Sequence, residues 1–456
     1  MKRIIVRVFA VVAAGTAVLA ASRWDRETVI DSALQEGTVT VFENVTVIPM
    51  DRERVLPDQT VVVAGERIVD MGPTASVRIP GGARTIDGSE KYLMPGLAEM
   101  HGHTPVPQGN PNTAFVKNMM FLYVANGVTT VRGMLGAPGQ LELRRMVASG
   151  EILGPTLYLA GPSFNGNSID SPEQAVKRVR QQHDAGWDLL KVHPGLTRSE
   201  YDAMAITASQ VGMRFGGHVP SDVGLIHAIK MGQQTFDHLD GFLQYAGGTD
   251  GPIDERKLGQ AIRMARDAGA AVVPTMVLWE VGVIGLGDVA ELVKHPELRY
   301  WPQSQIDAWT ARLRRRQSSP DFDTENALVF ARNRRRTLKA LSDAGLTILM
   351  GTDSPQIFSV PGFSLHREMR AMASAGMTPY QILESGTKNV GSYFQGKDSF
   401  GTVAVGRRAD LILSNSNPLD DVANVADRAG VMVRGRWLPR SLIRQRLSEI
   451  AAAYEN

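Results

Sequence analysis

Short apolar runs alternate with amphipathic helical stretches along most of this chain, and that alternation restricts its fold more than any other feature. The runs at 92–100, 128–134, 156–160, 188–192, 214–218, 234–238, 271–275 and 347–350 read as strands. Helical patterns lie between most of them; one is 197–210, whose start Thr197 or Ser199 can cap. Strands separated by helices pair in parallel, because each return to the same edge needs a crossover. Eight such units predict an α/β fold with a closed (β/α)8 TIM-like barrel rather than an open doubly wound sheet.

The flanks follow a different rhythm. Residues 37–92 are β-branched runs separated by turn signals such as Ala64-Gly65-Glu66, and residues 399–445 repeat that style. A small β-sandwich domain built from both chain ends is expected beside a barrel of residues 93–398. Within the barrel, residues 278–340 are too long for one connecting helix and carry Trp279, Tyr300, Trp301 and Trp309 among charged residues. They are expected to form a partial lid at the C-terminal mouth, where long βα connections lie in this architecture.

At the N-terminus, Lys2 and Arg3 precede an apolar run from Ile4 to Ala21 broken mainly by Arg7, with small side chains near Val18-Leu19-Ala20. Residues 1–21 read as a signal peptide for export to the periplasm or the extracellular space, and residues 22–36 as a linker. The alternative is an uncleaved N-terminal membrane anchor, the one way a membrane becomes a partner. The chain has no Cys, so disulfides, thiolate ligands and lipid attachment to Cys are excluded. Its 49 Lys and Arg balance 47 Asp and Glu, which gives no field for nucleic acid. A local basic run, Arg312, Arg314–Arg316, Arg332 and Arg334–Arg336, is read as a solvated helix face.

The chemistry-bearing residues fall at strand ends. His101 and His103 close the first run in MPGLAEMHGHTP, at the i, i+2 spacing that puts two imidazoles on one face of a strand. Lys191 ends WDLLKVH, His218 ends RFGGH, His238 follows QTFD, and Asp353 follows TILMGT. A lysine at the inner end of an apolar strand is costly unless something pairs it. Six potential ligands therefore gather at the C-terminal ends of five predicted strands, the end at which barrel sites form.

The motifs MPGLAEMHGH, GVTTVRGM, GWDLLKVH, GGHVP, TFDHLDG, MGTDSP, GTVAVGRRADLIL and NPLDDV make the chain resemble the amidohydrolase superfamily, in its imidazolonepropionase-like and prolidase-like (Xaa-Pro dipeptidase-like) branch. The resemblance covers everything after the leader. It implies two divalent metal ions, zinc with manganese or cobalt able to substitute. His101, His103 and Asp353 would hold the more buried ion, His218 and His238 the second, and Lys191 would bridge them as a carboxylated lysine. A hydroxide bridging the ions would attack the substrate, with Asp353 also shuttling the proton. An uncarboxylated Lys191 would leave a single-ion site.

The implied activity is hydrolysis of an amide-type C–N bond in a small molecule or peptide, a dipeptide or N-acyl amino acid with proline or a bulky residue on the C-terminal side. Cyclic amide, lactone or carbamate hydrolysis and a non-catalytic barrel scaffold are the alternatives; a homo-oligomer is compatible with either. Arg132, His193 and Tyr245 are candidate substrate contacts, Arg132 through a bidentate grip on a carboxylate. Trp279 and Glu280 are pocket candidates, His366 follows the Asp353 loop, and His183, His227, His295 and Asp410 read as structural.

Overall fold

The structure is a computed structural model that describes Ala33 and residues 37–455. The leader expected at 1–21 lies outside the described residues, as does the linker at 22–36 apart from Ala33. Among the described residues sixteen strands follow in chain order. β1 (Val39–Val47), β2 (Leu56–Ala64), β3 (Arg67–Pro73), β4 (Arg84–Asp87) and β5 (Tyr92–Pro95) come first. Next are β6 (Leu97–Gly102), β7 (Val128–Gly133), β8 (Thr156–Leu159), β9 (Leu189–Val192), β10 (Arg214–Gly217), β11 (Thr235–Asp237), β12 (Ala271–Val273) and β13 (Thr347–Ile348). β14 (Leu411–Ser414), β15 (Arg428–Val433) and β16 (Arg436–Pro439) close the series.

β6 to β13 form the barrel. β6, β7 and β8 pair in parallel, as do β9 through β13 in sequence order. Two irregular seams join these arcs into a ring. Ala160 and Phe164 bridge in parallel to Leu189 and Val192, and the Phe164 amide donates to the Lys191 carbonyl at 2.8 Å. On the other side the Met100 amide donates to the Met350 carbonyl (2.8 Å), and the Asp353 amide to that of His101 (2.7 Å). The expected (β/α)8 architecture is thus present, with the regular ladders interrupted where functional side chains must turn inward.

Both chain ends build the other sheet, ordered β16-β15-β14-β5-β1-β2-β3 with β4 beside β1. It encloses its own core, with Phe42, Val61, Leu93, Leu411 and Trp437 packed together and the Phe42 and Trp437 rings edge-on at 5.2 Å. Residues 92–100, read above as one strand, are two. Tyr92–Pro95 pairs with β1 and β14, and the chain enters the barrel only at Leu97. Gly96 makes the crossing: a Cβ there would stand 2.2 Å from Thr129 Oγ1, so the close approach to β7 admits no side chain. Buried Arg408 ties the two units, donating to Asp410 Oδ2 and to Thr130 Oγ1 on β7, both at 2.7 Å. Asp410 also accepts from the Arg434 amide, a structural role of the kind expected for it.

The connection after β12 holds helices at Val289–Leu292 and Gln303–Gln317 and ends in the long helix Thr324–Asp343, which leads directly into β13. Its aromatic residues pack inward. Trp301 stacks on Trp309 at 5.9 Å, Trp309 meets Phe358 at 6.0 Å, and Tyr300 stacks on Phe363 at 5.3 Å. Glu297 pairs with Arg367 at 3.2 Å. Arg312, Arg314–Arg316, Arg332, Arg335 and Arg336 are exposed, but Arg334 is fully buried, which corrects its assignment to a solvated face. A helix presents a given side to solvent for only part of each turn, and position 334 falls on the inner side. Among the described residues no helix is long and apolar enough to cross a membrane.

Candidate metal centre

The six predicted side chains converge at the C-terminal end of the barrel. Atoms of His101, His238 and Asp353 that could bind an ion all lie within 4.8 Å of one another. His103 Nε2 is 2.8 Å from Asp353 Oδ1, and Lys191 Nζ is 3.1 Å from His101 Nε2. His218 joins through its ring, 4.5 Å from that of His238. His193 faces the same group, its ring 5.1 Å from His218.

Local geometry brings them in. Alternation along β6 points His101 and His103 to the same side, and their rings stack at 5.8 Å. Lys191, next to last in β9, is wholly buried, and β10 passes so close that a Cβ at Gly217 would lie 2.4 Å from the Val192 carbonyl and 3.0 Å from Lys191 Cδ. His238, Thr275 and Asp353 each leave their strands in the left-handed region, with φ of 65°, 45° and 63°. Such backbone costs on the order of 1–3 kcal/mol per non-glycine residue and persists only where the surroundings hold it.

The imidazoles are aimed by partners on their far nitrogens. His101 Nδ1 is 2.7 Å from Asp237 Oδ2, His218 Nδ1 is 2.6 Å from Asp240 Oδ2, and His238 Nδ1 is 2.7 Å from Thr275 Oγ1. In each the partner sits on Nδ1, the outer-shell pattern that orients metal-ligating histidines through Nε2, and Lys191 Nζ stands 3.1 Å from Nε2 of His101. Two buried nitrogens of the cluster, His103 Nε2 beside Asp353 Oδ1 (2.8 Å) and His101 Nδ1 beside Asp237, form no well-aligned hydrogen bond. The donor set of imidazole, carboxylate and amine suits a divalent transition metal.

The electrostatics agree. Burial, then the Lys191 charge, holds His101 well below the usual imidazole pKa; burial, then His101, does the same for His238. The neutral imidazole that this favours is the form that binds metal. Burial also lowers the Lys191 amine, against the pull of Asp237 and Asp353. For His193, burial and then Lys191 bring the pKa down to about 3. Burial pushes Asp353 upward, but His101 and His103 outweigh it and keep the carboxylate ionised well below its usual range. Burial raises Glu99 to about 7 although Thr352 and the His101 amide donate to it.

One substrate-contact expectation, that for Arg132, is corrected. Arg132 is fully buried, and its guanidinium donates to the Met100 carbonyl (2.6 Å), Thr235 Oγ1 (3.1 Å) and the Asp237 carboxylate (3.3 and 3.4 Å). Those bonds leave it no reach toward a substrate carboxylate; it is a buried ion pair beneath the centre. Tyr245 donates to Gln260 on the helix Glu255–Asp267 (3.1 Å). Likewise His366 is buried against Arg428. Trp279 does reach the centre, with its ring 5.7 Å from His238, and Glu280 beside it pairs with Arg335.

Sequence reading missed the residues that support the six: Glu99, Asp237, Asp240, Thr275, Thr352 and Gln356. Three carried a usable signal. Glu99 is two residues before His101, so alternation places it with both histidines, and its carboxylate accepts from the His101 and Thr352 amides. The acids flanking His238 in TFDHLDG are the carboxylates that hold His101 and His218. Gln356, which donates to Asp353 Oδ1 at 2.6 Å, had none.

Comparison with known proteins places this site in a family. Residues 92–438 match the Amidohydrolase family, and the chain belongs to it. An adenine deaminase 3 from Rhizobium meliloti (strain 1021) is 22% identical over 79% of this chain, which spans about half (52%) of that relative's length. A bottromycin amidohydrolase structure superposes with a TM-score of 0.72 at 23% identity, covering 95% of this chain and 96% of the other. A Xaa-Pro dipeptidase with bound methionine in the active site gives 0.67 at 20% identity, covering 88% and 100%. These likenesses are of fold.

Proposed function

We propose that this chain is a metal-dependent amidohydrolase that cleaves an amide-type C–N bond in a dipeptide or N-acyl amino acid. The observation that carries this reading is the convergence of His101, His103, Lys191, His218, His238 and Asp353, with three imidazoles held from behind. His101, His103 and Asp353 would hold one divalent ion and His218 and His238 the other, zinc by preference. Such ions make water acidic near neutral pH and polarise a carbonyl.

The chain's own residues supply the rest. Lys191, as a carbamate, would bridge the two ions: its neutral Nζ adds to the carbon of CO2, a proton leaves the nitrogen, and an anionic oxygen pair replaces the amine. A buried amine with a depressed pKa is suited to that addition. Asp353, ionised and at the mouth, takes the proton of the attacking water at a carboxylate oxygen and returns it to the leaving nitrogen. Gln356 fixes the orientation of that carboxylate. His193 and Trp279 offer polar and apolar contacts to the acyl and leaving groups. The basic-then-apolar leader of residues 1–21 makes export part of this reading.

The test is metal analysis of the purified chain beside a screen of dipeptides with C-terminal proline or bulky residues, N-acyl amino acids, lactones and adenine. Metal-dependent release of an amino acid from the first two groups supports the proposal. Ammonia from adenine, or lactone opening alone, would replace it. Full activity after chelation removes the metal reading altogether.

A further inference from the structure

One member of the basic run is buried, and it points at the metal centre. Arg334, on the helix Thr324–Asp343, donates from Nη1 to the carbonyl of His238 at 2.5 Å and from Nη2 to the carbonyl of Pro274 at 2.9 Å. Its guanidinium carbon lies 4.8 Å from the ring centroid of Trp279. We propose that Arg334 is a positioning residue that fixes the backbone aiming His238 and holds Trp279 as a wall of the site. This inference rests on the reading of His238 as a metal ligand.

His238, Leu239 and Thr275 all have positive φ (65°, 62° and 45°), so the chain turns sharply out of β11 and β12 at adjacent points. These turns remove the His238 and Pro274 carbonyls from the regular ladder, and a buried carbonyl needs a donor. Arg334 supplies both donors from one rigid planar group and so links the two strand ends. Lysine cannot do this, because its ammonium is a compact point charge without the fork. The linked segments are the two that orient one imidazole. His238 carries the ring, and Thr275, next to Pro274, holds its Nδ1 at 2.7 Å.

A second clamp closes on the same turn from the other side. Glu368, fully buried on the helix Phe363–Ser374, accepts from the amides of Met276 (2.7 Å) and Val277 (2.9 Å). Thr275 is thus held between Arg334 and Glu368. Trp279, one helical turn on, stands with its ring 5.7 Å from His238. The helix that ends the long connection therefore controls a candidate ligand although it contributes no ligand itself.

The experiment compares wild type, Arg334→Lys, Trp279→Leu and His238→Asn in the full chain loaded with zinc. Zinc release to a competing chelator and kcat and KM on one substrate are measured, with circular dichroism to establish folding. Trp279→Leu is included because it changes a half-buried residue and leaves the buried guanidinium in place. Outer-shell substitutions of this kind cost about 10- to 100-fold in metal affinity or activity. Arg334→Lys is expected to release zinc faster and to lose kcat in that range, with KM little changed; Trp279→Leu should move zinc release the same way by a smaller factor. Folded variants that release zinc at the wild-type rate and keep wild-type kcat overturn the proposal. If His238→Asn itself keeps full zinc, the ligand assignment fails instead, and the two failures are told apart.

Discussion

Asp237 occupies the ring nitrogen of His101 that Lys191 does not: its Oδ2 lies 2.7 Å from His101 Nδ1, while Lys191 Nζ lies 3.1 Å from Nε2. The same carboxylate meets the buried guanidinium of Arg132, so one acid aims a candidate ligand and neutralises a buried cation. Both side chains are fully buried, and neither can turn to water for compensation.

Asp237→Asn therefore has two expected effects. Metal affinity should fall about 10- to 100-fold, because the amide is a weaker acceptor for His101 and leaves its tautomer free. Stability should fall by about 3 kcal/mol or more, because Arg132 stays buried without a counter-charge. Chelator competition and urea unfolding measure the two separately. Wild-type values in both would leave Asp237 without a role.

Lys191→Ala should abolish metal bridging and activity, and short carboxylates such as formate or acetate should restore part of both by entering the vacated space. Carbon-13 NMR of protein equilibrated with labelled bicarbonate should show a carbamate resonance that the variant lacks. An active, metal-loaded protein whose Lys191 remains a free amine would remove carboxylation from the mechanism.

For Asp353→Asn, kcat on an amide should drop by roughly 10²-fold or more, the scale of general acid–base catalysis. Asn is nearly isosteric but cannot take up the proton. The loss should be smaller on an activated phenyl ester, whose leaving group needs no proton. Metal content measured alongside separates ligand from proton carrier, and unchanged amide turnover at full metal content would reassign the acid–base step.

Glu368 offers a pH test outside the metal cluster. Burial raises its pKa from the ordinary carboxylate range to about 8, despite two amide donors. The folded state therefore binds a proton that the unfolded state has already released between the unfolded value and about 8. The stability this contributes is fully present below the unfolded pKa and is lost as pH rises through about 8. Wild type should lose unfolding free energy across that window, and Glu368→Gln, which cannot titrate, should lose less. Parallel slopes for the two proteins in urea titrations from pH 5 to pH 9 would show that Glu368 does not titrate there.

The barrel was legible in the sequence because each parallel strand carries its own apolar run and each crossover its own helical period, both local signals. His101, His103, Lys191, His218, His238 and Asp353 were legible for a related reason: each lies at or just past the end of an apolar run. The boundary at Gly96 was not, because β5 and β6 are contiguous in sequence and differ only in which neighbours they pair with.

What the sequence determined by itself is the order of the elements, the polar residues at their ends and the absence of any thiol. What tertiary structure alone decided is which of those polar groups face each other and which face water. Arg132 and Arg334 show the reason. Both look like surface or substrate-binding cations along the chain, yet both are fully buried donors to distant backbone carbonyls. Whether an arginine is solvated or buried depends on which strand ends and loops lie against its helix or strand, and those partners are 32 and 96 residues away.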